Sequence, residues 1–102
     1  MYRSVSALLE CGIIYKKDVV ALNNGIVGQI VCFWRHASYA NEFHAQINEF
    51  DVINEGGSQY YRESAGRLSF TNANAIVDAC TWVYKRPGVM KVLLPFALCA
   101  RW

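Results

Sequence analysis

The chain has 102 residues, enough for one domain and too few for a second core. Hydrophobic residues make up 54% and charged residues only 18%, which excludes intrinsic disorder, a collagen-like repeat and a low-complexity tail. A net charge of +2 is too small to argue for nucleic-acid binding by charge alone.

In chain order, Ser4 to Glu10 reads as a short helix, with Ser4 as its cap and Gly12 as its stop. Ile13-Ile14-Tyr15 and Val19-Val20-Ala21-Leu22 then lead to Asn23-Asn24-Gly25. Asn-Gly between β-rich runs is a strong hairpin signal, because both residues tolerate positive φ. The pattern predicts a long hairpin, about 13–22 paired with 26–36. Ile30-Val31-Cys32-Phe33-Trp34 is apolar at successive positions, which predicts a central strand buried on both faces.

Residues 39–54 fit two templates. Phe43, Ala45 and Ile47 alternate as a strand would. Ala40, Phe43, Ile47 and Phe50 follow 3-4-3 spacing over a longer stretch, so a helix is predicted, closed by Gly56-Gly57. Residues 59–62 and 67–70 read as two short strands around a Ser64-Ala65-Gly66 turn. A further helix is predicted from Thr71 or Asn72 to Arg86. Its apolar stripe is Ala73, Ile76, Val77, Cys80, Val83 and Tyr84, and Pro87-Gly88 ends it. Val89 to Leu94 is a final buried strand, broken at Pro95. The expectation is one α+β domain: a mostly antiparallel sheet opened by the long hairpin, with two or three helices packed on it.

The run Val5 to Leu9 is cut by Glu10, so no secretion leader is expected. The longest nearly apolar run, Val92 to Ala100, is nine residues and contains Pro95, against the ~20 a membrane helix needs. Cys11, Cys32, Cys80 and Cys99 show no C-x-x-C spacing. They read as reduced, buried thiols of an intracellular protein.

Catalytic signatures are weak. There is no G-x-S-x-G and no H-E-x-x-H. Gly25-x-x-Gly28 sits in a hairpin, so it fails as a phosphate loop. Acid pairs such as Glu49/Asp51 or Glu55/Glu63 arise in any chain with eight acids. Cys32, His36 and His44 are the best metal-ligand set, but a lone C-x3-H lacks the two close ligand pairs of a zinc site. No metal and no cofactor are expected.

The aromatic and basic residues of the second half form the candidate binding set: Tyr60, Tyr61, Arg62, Arg67, Trp82, Lys85 and Arg86. Trp82 falls outside the helical stripe, on the edge with Asp78 and Lys85. Interleaved aromatic and basic residues suit single-stranded nucleic acid, and equally a protein hot spot. The low net charge favours a protein partner or self-assembly, and so a non-catalytic interaction module. Charge is segregated: residues 42–55 carry −4, and residues 56–102 carry +4. A homodimer in which each acidic segment faces the partner's basic half is self-complementary. The apolar tail with Phe96, Leu98 and Trp102 is the candidate interface.

Overall fold

The computed structural model describes residues 2–36, 39–64 and 66–94. Among them there is no α-helix. Twelve strands run in the order β1 (Tyr2–Ser4), β2 (Ser6–Leu9), β3 (Gly12–Tyr15), β4 (Val19–Leu22), β5 (Val27–His36), β6 (Tyr39–Glu49), β7 (Asp51–Glu55), β8 (Ser58–Arg62), β9 (Leu68–Asn72), β10 (Ile76–Ala79), β11 (Thr81–Arg86) and β12 (Val89–Leu93). A single 3-10 turn, Ala73–Ala75, joins β9 to β10. The α+β expectation is therefore corrected: among the described residues the fold is all-β, and no α-helix packs on a sheet.

The larger sheet has the order β10-β4-β5-β6-β9, with β1 pairing beside β4 on the same edge of β5. A second sheet has the order β11-β12-β8-β7, and β2-β3 form a hairpin of their own. All pairings are antiparallel.

Two cores sit on opposite faces of the larger sheet. Every residue of β4 is buried: Val20 and Leu22 enter the first core, Val19 and Ala21 the second. The first core packs Ile30, Phe33, Ala45 and Ile47 against Ala7 and Ile14 of the β2-β3 hairpin. The second packs Val27 and Phe50 against Tyr61, Met90 and Val92 of the smaller sheet. The result is three layers, with the larger sheet in the middle.

The Asn23-Asn24-Gly25 turn forms as expected, with Gly25 at φ +90 and Leu22 N–H donating to the Ile26 carbonyl over 2.8 Å. It joins β4 to β5 alone. The first arm of the long hairpin is split, because β3 pairs with β2 instead. β5 is the central strand foreseen, and β8, β9 and β12 fall where strands were expected.

Three helix expectations fail for one reason. In the Ser4 to Glu10 segment, Ala7 turns inward opposite Ile14 while Leu8 faces out opposite Ile13, which is period two. In 39–54, alternation wins: Ala45 and Ile47 reach 0% exposure in the first core, and Phe50 enters the second core on the opposite face. Its Gly56-Gly57 terminator is a two-residue hairpin turn between β7 and β8. Both glycines have positive φ, +57 and +80, as a type I′ turn requires. In the third segment Asn72 does cap, its side chain accepting from Asn74 N–H at 2.8 Å, but the cap serves one 3-10 turn. A register shift between Ile76 and Asp78 then swaps faces. Ile76 lies in the first core, and Cys80 and Trp82 pack on the second. Pro87-Gly88 turns the chain from β11 into β12.

Candidate functional surfaces

The smaller sheet gathers most of the predicted binding set and neutralises it. β7 and β8 pair so that Asp51 stands opposite Arg62. Asp51 accepts from Arg67 and lies 3.5 Å from Arg62. At the other end of β7, Glu55 accepts from Lys85 Nζ at 3.0 Å and from both terminal nitrogens of Arg86. The Lys85 ammonium also sits 4.0 Å from the centre of the Tyr60 ring, and that of Lys91 5.4 Å.

The acidic and basic segments thus find each other inside one chain. Two acids of the 42–55 stretch hold four of the predicted cations, and the Tyr60 ring is taken up by cation–π contacts from Lys85 and Lys91. Tyr61 is buried at 4% exposure in the second core, unavailable for stacking on a base. Trp82 packs against that core and meets Tyr84 edge to face, with centroids 4.8 Å apart. The seven predicted residues do not form one open aromatic and basic surface. Phe96, Leu98 and Trp102 lie outside the described residues.

These ion pairs shape the response to acid. Hydrogen bonds from Arg86, then Lys85, lower the Glu55 carboxyl from 4.5 to about 2. Arg67 lowers Asp51 in the same direction. A depressed carboxyl contributes stability above its ordinary value and loses that contribution as pH falls through the folded value. The native chain is expected to lose urea resistance between pH 4.5 and about 2. Glu55→Gln is expected to flatten that limb, so the two proteins differ at pH 6 and converge near pH 2. An equal difference at both pH values counts against the assignment. The pair is exposed, so the effect is small.

Of the metal-ligand set, Cys32 and His44 have other partners, and the His36 side chain lies outside what the structure describes. The Cys32 thiol donates to Gln46 Oε1 at 3.3 Å, and the His44 ring stacks on Phe70 at 5.5 Å and 7°. Among the described residues no three metal-ligating side chains cluster. Cys11, Cys32 and Cys80 are free thiols, and burial pushes Cys80 up to about 11.

The sequence reading missed the outer face of the β2-β3 hairpin. Leu8 and Ile13 are cross-strand partners, exposed at 72% and 54%. Val5 and Tyr15 flank them, also more than half exposed. Beside the pair runs an open groove of about 430 Å³, lined by Arg3, Ala7, Arg35 and Phe43 among others. The signal for this face was present: Gly12 between two apolar runs whose members alternate in and out.

Among the described residues, no helix is long and apolar enough to cross a membrane. Compared with protein-family models, with curated proteins and with solved structures, the chain has no match.

Proposed function

We propose that the chain is a small non-catalytic interaction module that self-assembles through the outer face of its β2-β3 hairpin. The observation that carries this reading is the exposed Leu8–Ile13 pair. Opposed aliphatic side chains held out in water favour burial, at ~25 cal/mol per Å² of apolar area removed. The hairpin pairs with no other strand among the described residues. Its outer strand edges resemble those that join with a second chain. A twofold contact brings the same face of each copy together. The free thiols Cys11, Cys32 and Cys80 support a reducing, intracellular setting for this assembly.

Sedimentation equilibrium tests the proposal. The native chain is expected to be a dimer at tens of micromolar, on the scale typical of modest interfaces. Leu8→Glu combined with Ile13→Lys is expected to give a monomer of unchanged thermal midpoint, because both positions are exposed. A native monomer at that concentration, or a double variant that stays dimeric, overturns the reading.

A further inference from the structure

Asn24-Gly25 is the one Asn-Gly pair in the chain; the other asparagines are followed by Asn, Glu or Ala. The pair has a chemistry of its own, apart from its place in the turn. An asparagine amide carbon can close a five-membered ring with the next backbone nitrogen. Glycine leaves that nitrogen unshielded, because it has no Cβ. Asn23, Asn24 and Gly25 are all exposed, and the space where a Gly25 Cβ would stand is empty to 4 Å. Water reaches the amide, and a ring has room to form.

The folded turn holds the reacting atoms apart. Gly25 N–H donates to the Leu22 carbonyl over 3.0 Å, within the loop that joins β4 to β5. That bond, with Gly25 at φ +90, makes a type I turn followed by a left-handed residue. In such a turn ψ at the second central position, here Asn24, is about 0°, so the Gly25 nitrogen eclipses the Asn24 nitrogen and not its side chain. Asn24 Oδ1 accepts from Ile26 N–H over 3.1 Å, which fixes the amide. Asn23 N–H donates to the Ala75 carbonyl over 2.9 Å and ties the turn to the 3-10 segment. Ring closure needs the Gly25 N–H released and the Asn24 Cα–C bond rotated. It therefore needs the turn open.

We propose that Asn24 is a site of spontaneous deamidation, gated by opening of the β4-β5 turn. The Gly25 nitrogen gives its proton to water and bonds to Asn24 Cγ. The Cγ–Nδ2 bond breaks, and the amide nitrogen takes up a proton and leaves as ammonia. A second water opens the succinimide. Attack at Cγ gives aspartate at position 24. Attack at the backbone carbonyl gives isoaspartate, in which the main chain runs through the side-chain carbon. Water is the only co-reactant, and nothing is oxidised or reduced.

The two products differ in consequence. Each lowers the formal net charge from +2 to +1. Aspartate keeps an oxygen that can accept from Ile26 N–H, so the turn survives. Isoaspartate adds one carbon to the main chain between Leu22 and Ile26. Every residue of β4 is buried, and Ala21 and Val27, paired just before the turn, both lie in the second core. A close-packed core gives little room for the shift that the extra carbon imposes.

The test is incubation of the full chain at mildly alkaline pH, folded and in urea. Ion exchange follows the charge change, and mass mapping of peptides locates it. In urea Asn24 is expected to convert before any other asparagine. In the folded chain its rate is expected to fall roughly tenfold or more, because only the locally opened fraction reacts. Val27→Ala, which loosens the hairpin beside the turn, is expected to speed conversion of the folded chain several-fold. Asn24→Gln is expected to remove the first product. The isoaspartate form, isolated from aged protein, is expected to have a lower urea midpoint than Asn24→Asp, which keeps the native one. Equal rates in the folded and urea-treated chain overturn the gating. Earlier conversion of another asparagine in urea overturns the site. An isoaspartate form as stable as Asn24→Asp overturns the stated consequence.

Discussion

Phe33→Ala is expected to destabilise the chain by about 3–5 kcal/mol, the usual cost of truncating a buried phenylalanine. Small domains have only ~5–15 kcal/mol in total, so the variant is expected to be partly unfolded at physiological temperature. Phe33 is 0% exposed and lies on β5, the strand that pairs with β1, β4 and β6. Its ring meets Phe43 edge to face, with centroids 6.4 Å apart. The same core holds Ala7 and Ile14, so the cavity opens beneath the β2-β3 hairpin. Loss of the hairpin's hydrogen-exchange protection is expected to accompany the fall in urea midpoint. Phe33→Leu, which keeps most of the volume, is expected to cost clearly less. A Phe33→Ala cost under about 1 kcal/mol contradicts the assignment of this residue to the first core.

Gly28→Ala has the next largest expected effect, and its sign is diagnostic. In most strands alanine is preferred over glycine, by roughly 0.5–1 kcal/mol. At Gly28 a Cβ atom meets Ile47 Cγ2 at 2.5 Å and the Asn48 carbonyl oxygen at 2.6 Å. Ile47 is fully buried, and the carbonyl belongs to the β6 backbone, so neither yields easily. Gly28 is needed for space and not for an unusual φ. The substitution is expected to force β5 and β6 apart at the Gly28–Glu49 pair, costing about 1–3 kcal/mol. A neutral or stabilised Gly28→Ala protein in urea unfolding overturns this account.

Some of the architecture was legible in local chemistry. Asn23-Asn24-Gly25 encodes a turn because of the backbone angles those residues tolerate, and it forms at that place. The apolar run Ile30 to Trp34 encodes a strand flanked on both sides, and β5 is that strand. The Phe43-Ala45-Ile47 alternation was also readable, yet a longer 3-4-3 pattern competed with it. That pattern arises because Phe43 and Ile47 serve one core and Phe50 the other. The third expected helix misleads in the same way, since its stripe joins Ile76 of the first core to Cys80, at the second. A chain that feeds two cores on opposite faces of one sheet imitates helical spacing in one dimension.

The candidate surfaces show the same division. Composition and order determined that this protein has a turn at Asn23-Asn24-Gly25, a strongly apolar central strand, and acids and bases in separate segments. Only the tertiary structure decided that Glu55 meets Arg86, 31 residues away, and that Tyr61 turns inward. It also decided that Trp34, His44 and Phe70 share one face. Turn chemistry acts over three or four residues of backbone and is written locally. Which side chains share a face depends on strand register and on bulges such as the one at Ile30–Cys32. Those are set by packing between segments distant in sequence.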